Sequence, residues 1–264
     1  MTEQTKNSAL QLPPAVDLST VRDELIAANL CPSLAENIRQ ALVAQSCVAD
    51  LREADDCRDA LQALLSSPRK VGTRQRDSTE MALMTMAVML YARATSTSGQ
   101  KGERGSIQIT SRLSEEQLID HQALIATRNR ALAHVYPNED VGGRRWHNAA
   151  VLLLWEEAGW RPGAASNRIQ LDRQLLARLT RQLPVATAIV AASADKRFGQ
   201  LAAGVSAAMA DDTLLAILDR CRLDLVAFFG TVEAARAAVA SASAEPRRGL
   251  TAIRMTEPLI SDRQ

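Results

Sequence analysis

The sequence is poor in the residues that most often carry recognisable chemistry: 3 histidines, 4 cysteines and 3% aromatics in 264 residues. Cys31, Cys47, Cys57 and Cys221 include no C-x-x-C pair, which excludes a zinc ribbon and gives no disulfide framework. His121, His134 and His147 offer no pair at the i, i+4 spacing of a zincin helix. A G-x-S-x-G nucleophile elbow and a GxxxxGK[ST] phosphate loop are also absent. The longest apolar run, from Met81 to Ala92, has about 12 residues against the roughly 18–20 that a bilayer requires. The opening MTEQTKNSALQLPP has no apolar centre of the kind a secretory signal needs. The expectation is a cytoplasmic protein with no metal, no cofactor and no membrane contact.

What is present is a core-forming composition, 47% hydrophobic, which excludes wholesale disorder. The net charge of +1 conceals an uneven distribution: residues 1–68 are net −5, residues 69–145 net +4, and residues 146–264 net +2. A polyanion would therefore be met by the middle third. Arginine outnumbers lysine 27 to 4, so codon bias in an Ala-rich chain is a sufficient account of many of these cations.

Apolar periodicity predicts helix almost throughout. Residues 1–16 read as a flexible leader ending at Pro13-Pro14, and residues 17–66 as acidic N-terminal helices. In the latter, Leu18, Val21 and Leu25 mark a first helix, the capping pattern Ser33…Glu36 opens a second, and Leu51–Leu65 a third. Three short helices suggest a helix-turn-helix reader, but net −5 would repel DNA phosphates. A basic loop, SPRKVGTRQR over 67–76, leads to the most apolar helix, about Ser78–Thr95, whose four methionines read as core. The loop TSTSGQKGERGS follows. Ser114 and Gln117 form another capping box, opening a helix from about Glu115 to His134 that Pro137 ends.

After Gly142-Gly143, the run Val151–Trp155, the turn EEAG and the stretch from Trp160 predict one small β-hairpin near 149–170; WHNAAVLLLWEEA is equally compatible with helix. Leucines every four residues from Leu171 restore helix, with Pro184 expected to kink it. The fold class is all-α, a helical bundle with at most this hairpin.

Among the histidines, His121 lies mid-helix with no evident partner and reads as a surface or interface residue. His147 follows Trp146 near a glycine turn, again with no evident partner. His134 stands in Thr127-Arg128-Asn129-Arg130-Ala131-Leu132-Ala133-His134-Val135-Tyr136. A histidine titrating near neutrality suits proton transfer, and a permanently charged guanidinium can grip two phosphate oxygens. On a straight α-helix, Arg128 and His134 lie about 120° apart, whereas Arg130 shares the face of His134. One bundle would thus present only part of a site. A purely structural use also exists, since a histidine near a helix C-terminus complements the dipole.

The Arg-polar-x4-His pattern of Arg128, Asn129 and His134, with the apolar helix ending in Tyr91-Ala92-Arg93 before it, resembles the HEPN superfamily over residues 67–195. Residues 196–264 would be a C-terminal helical extension and tail. The resemblance implies a HEPN-like core and a metal-independent endoribonuclease, acting as a toxin or antiphage effector. It would cleave RNA to 2′,3′-cyclic phosphate ends in a site shared by a homodimer. It makes His134 the acid or base, Arg128 the phosphate clamp and Asn129 a positioning group. Arg130, Arg69, Lys70, Arg74, Arg76, Lys101 and Arg104 would contact the RNA, and an antitoxin or regulatory protein would be a further partner. The alternative is a noncatalytic helical binding or scaffold protein.

Overall fold

In the computed structural model, the residues described are 12–68, 72–97, 104–132, 138–141, 143–157, 159–169 and 171–244. In chain order these begin with strand β1 (Ala15–Val16), helix α1 (Leu18–Ala27), helix α2 (Pro32–Ser66) and helix α3 (Arg74–Ser96). A 3-10 turn (Thr110–Arg112), helix α4 (Glu115–Thr127) and a π-helical turn (Arg128–Leu132) follow. Next are the short strands β2 (Asp140–Val141) and β3 (Arg144–Arg145), then the long strands β4 (His147–Glu156) and β5 (Gly159–Arg168). Helices α5 (Arg173–Ala208) and α6 (Asp212–Arg220), strand β6 (Arg222–Leu223), and helices α7 (Leu225–Phe229) and α8 (Val232–Ala244) complete the order. The fold is mostly α, as the periodicity predicts, and the hairpin forms as strand rather than helix.

Two elements are longer than the sequence reading. Helix α2 runs unbroken for 35 residues where two helices were expected, because no glycine or proline interrupts it after Pro32. It begins at Pro32 rather than at the Ser33…Glu36 pattern, and proline's fixed φ and missing N–H suit the first helical position. Helix α5 likewise runs for 36 residues, with Pro184 inside it. Among the described residues α5 is the one helix long and apolar enough to cross a membrane by length and composition. Its buried Leu175, Leu179, Leu183, Ala186 and Val190 form a stripe at helical spacing, the pattern of a core helix.

The chain divides into two compact units, residues up to Arg39 with those from Gly199, and residues Gln40–Phe198. In the first, β1 pairs antiparallel with β6, Ala15 opposite Leu223 and Val16 opposite Arg222. Three aspartates stop its backbone N–H groups from being orphaned at helix starts: Asp17 accepts from Ser19, Asp211 from Thr213, and Asp224 from Val226 and Ala227. Hydrogen bonds to Ser19 and Thr20 hold the Asp17 carboxyl below its ordinary range. Arg220 reaches Glu24 at 2.5 Å, joining α6 to α1 over buried Val21, Leu25, Leu214 and Ile217.

The second unit holds the larger core. Tyr91 of α3, Leu124 of α4, and Leu179 and Leu183 of α5 are fully enclosed, with Leu51 and Leu61 of α2. Leu124 and Ala131 therefore fix one face of α4 and of the π turn against the bundle. Asn129 and Arg130 of the same turn are exposed, and Arg128 is half-buried.

Candidate functional site

Helix α4 starts at a complete capping box. The Gln117 backbone N–H donates to Ser114 Oγ at 3.3 Å, and the Ser114 N–H donates to Gln117 Oε1 at 3.0 Å. Glu115 and Glu116 in the first turn complement the positive end of the helix dipole. This fixes the start of a helix whose far end carries the Arg128 motif.

That far end is not a simple continuation of α-helix. Residues Arg128–Leu132 form a π turn, and single π turns inside helices recur at functional sites. The straight-helix angles drawn from the sequence therefore do not apply through this segment. Half-buried Arg128 donates from one terminal nitrogen to Asn129 Oδ1 at 2.8 Å. Its Nε is buried and has no hydrogen-bond partner among the described residues. Asn129 and Arg130 are exposed, and Arg130 pairs with Glu139 at 2.5 Å. The structure thus brings Arg128, Asn129 and Arg130 together on one turn. His134 lies outside the described residues.

The π turn is held from outside by His147, whose role sequence reasoning missed. Its Nε2 donates to the Ala131 carbonyl at 3.0 Å, and its Nδ1 accepts from Arg168 Nε at 3.2 Å, so the proton sits on Nε2. Asn138, at φ 64°, completes the support from the start of the hairpin. Its N–H donates to the His147 carbonyl, and its side-chain amide exchanges two hydrogen bonds with Ala149. The sole sequence signal was a histidine near a glycine turn. Its partners become visible only with the pairing of His147 opposite Arg168.

A second polar cluster lies deeper, between α3, α4 and α5. His121, expected at a surface or interface, is 4% exposed, and its Nδ1 lies 2.7 Å from the Tyr91 hydroxyl. Burial lowers the pKa of His121 and raises that of Tyr91, so both stay neutral. Beside them buried Asp120 accepts two hydrogen bonds from Arg181, at 3.0 and 3.1 Å, with Arg178 at 3.8 Å. Gln182, at 1% exposure, lies near Tyr91, and its amide nitrogen has no hydrogen-bond partner among the described residues. Tyr91, Asp120, His121 and Gln182 are buried between the three helices while Arg181 is exposed at the edge, which suits a role in fixing their register.

The basic loops distribute differently from the π turn. Arg69, Lys70 and Lys101 lie outside the described residues. Arg74 is exposed in the first turn of α3. Arg76 is buried; it donates to Glu80 at 2.8 Å and to the Leu64 carbonyl at 2.7 Å, stapling the end of α2 to the start of α3. Arg104 donates to Asp50 at 2.5 Å and to the Arg93 carbonyl at 3.1 Å. Arg93 grips the same carboxylate with two hydrogen bonds, and that contact raises its own pKa. Arg76 and Arg104 thus hold helices and loop in place.

A separate cleft of about 370 Å³ in the first unit is lined by Leu25, Ile26, Leu30, Pro32 and Ala35. The cations at its margin, Arg22 and Arg39, are paired with Asp23 and Glu36. Among the described residues no three His, Cys, Asp or Glu side chains gather as metal ligands. The family models, the curated proteins and the solved structures compared with this chain contain no match to it.

Proposed function

We propose that this protein is a metal-independent endoribonuclease of HEPN type, with Arg128, Asn129 and His134 as its reacting set. The observation that carries the reading is the state of Arg128. Its guanidinium is oriented by Asn129, while its buried Nε–H has no acceptor among the described residues. An unsatisfied charged donor is costly, and a phosphate oxygen is an acceptor of the right charge to satisfy it. The π turn beneath it is pinned by His147, which suits a group that must stay positioned during a reaction.

The chemistry needs no cofactor. His134 takes the proton of the ribose 2′-hydroxyl as its oxygen attacks the adjacent phosphorus, or protonates the departing 5′-oxygen; a second group performs the complementary transfer. One P–O bond forms as the other breaks, leaving a 2′,3′-cyclic phosphate and a 5′-hydroxyl. Arg128 stabilises the extra negative charge on the phosphorane. A second copy of the chain, bringing a second motif, supplies the complementary group, and Arg130 is an auxiliary cation. The protein acts in the cytoplasm as a toxin or antiphage effector, held in check by an antitoxin or regulatory protein.

The test is Arg128→Lys. Lysine keeps a positive charge but loses the planar fork, so cleavage of a mixed RNA substrate is expected to fall by about 100-fold. Unchanged cleavage would remove Arg128 from the reaction. The second reading, a noncatalytic binding module, is favoured by one observation, the exposed apolar hairpin beyond His147.

A further inference from the structure

The β4–β5 hairpin pairs ten residues with ten, from His147 opposite Arg168 to Glu156 opposite Gly159. Side chains alternate between its two faces. One face carries Val151, Leu153, Trp155, Trp160, Pro162 and Ala164, all exposed. Val151 is 91% exposed, Leu153 62%, Trp155 68% and Trp160 65%. Between Ala149 and Ser166 that face carries no charge. The opposite face is polar at its outer end, where Arg161 pairs with Glu156 at 2.7 Å. A two-stranded ribbon with both faces open to water is marginal by itself, and an apolar face of this kind marks an interaction surface.

We infer that the Val151–Trp155 and Trp160–Ala164 face is where a second copy of this chain docks, through the same face of its own hairpin. Two arguments select this occupant. The first is charge. A face without charges can be buried against its equal with no ion left unpaired, whereas it offers nothing to steer a charged foreign partner. Glu156 and Glu157 at the tip would be the first groups to meet an anionic bilayer, which disfavours a membrane.

The second argument is area. Aromatic side chains contribute about 150–250 Å² each when buried, so the exposed parts of the two tryptophans, Val151 and Leu153 amount to about 500 Å². Two copies would bury about 1,000 Å² in total, the lower bound of a specific interface. The two tryptophans form the outermost pair of the face, beside Glu156 and Glu157, and tryptophan is enriched in such interfaces. The surface belongs to the hairpin alone, and the copy it seats is the second copy that the proposed composite site calls for.

The test is sedimentation velocity of the full chain across a micromolar concentration range, with three variants. Wild type is expected to sediment as a dimer. Val151→Lys/Leu153→Lys is expected to sediment as a monomer, dissociating at least about 100-fold more readily. Val151→Ser/Leu153→Ser should weaken the dimer in the same direction, which guards against a misfolded lysine variant. Leu154→Lys, on the opposite face, should leave the dimer intact. Circular dichroism should be the same for all four. A monomeric wild type overturns the inference, as does a dimer that both double variants retain. A monomeric wild type that floats with phosphatidylcholine–phosphatidylglycerol vesicles, where Val151→Lys/Leu153→Lys does not, would assign the face to a bilayer instead.

Discussion

His147 Nε2 donates to the Ala131 carbonyl across 3.0 Å, tying the base of the hairpin to the π turn that carries Arg128. The same ring accepts from Arg168, so one imidazole fixes two strands and a helix end at once. His147→Ala should therefore leave the helices folded while loosening the turn. RNA cleavage is expected to drop roughly tenfold, the equivalent of one positioning hydrogen bond. His147→Gln, whose amide can still donate to the Ala131 carbonyl, should recover most of the rate. Single-turnover cleavage by the three proteins checks this, and equal rates would detach His147 from the site.

His121 gives a pH dependence of stability with a definite sign. Burial lowers its pKa below the ordinary 6.5, so the unfolded chain takes up the proton more readily than the native one. Its contribution is present above about pH 6.5 and is lost as pH falls from there through the lowered native value. The melting temperature of wild type should decline below that point more steeply than that of His121→Gln. Thermal melts from pH 8 to pH 5 measure the difference. Parallel curves would contradict the assignment.

Asp50 is the anchor of a three-residue ion cluster. It is buried, and it holds Arg93 at 2.6 Å and Arg104 at 2.5 Å. Asp50→Asn leaves two guanidinium groups without their carboxylate. Because Arg93 is half exposed, solvent recovers part of the loss, and the expected destabilisation is about 1–3 kcal/mol. That corresponds to a fall of roughly 5 °C in Tm for a unit of this size. A variant within a degree of wild type would show that the cluster adds little.

The helical class and the hairpin were both readable in the sequence because each depends on a local period. Ser114 with Gln117 marked the start of α4 to the residue, since a capping box is a local signal. The separate third helix expected over Leu51–Leu65 is part of α2, because no glycine or proline interrupts the run after Pro32. At the candidate site, Arg128, Asn129 and Arg130 were visible as a motif. The π turn beneath them was not, since nothing in the residue types distinguishes i→i+5 from i→i+4 bonding there. His121 was misplaced for a different reason: its partner Tyr91 lies 30 residues earlier, on another helix. Asp120 with Arg181, 61 residues apart, was hidden in the same way.

The most direct measurement of the proposed function is incubation of mixed RNA with purified protein in EDTA, wild type beside His134→Ala, with the product ends analysed. The account predicts cleavage by wild type alone, leaving 2′,3′-cyclic phosphate and 5′-hydroxyl ends. Equal cleavage by both proteins, or no cleavage by a folded wild type, would contradict it.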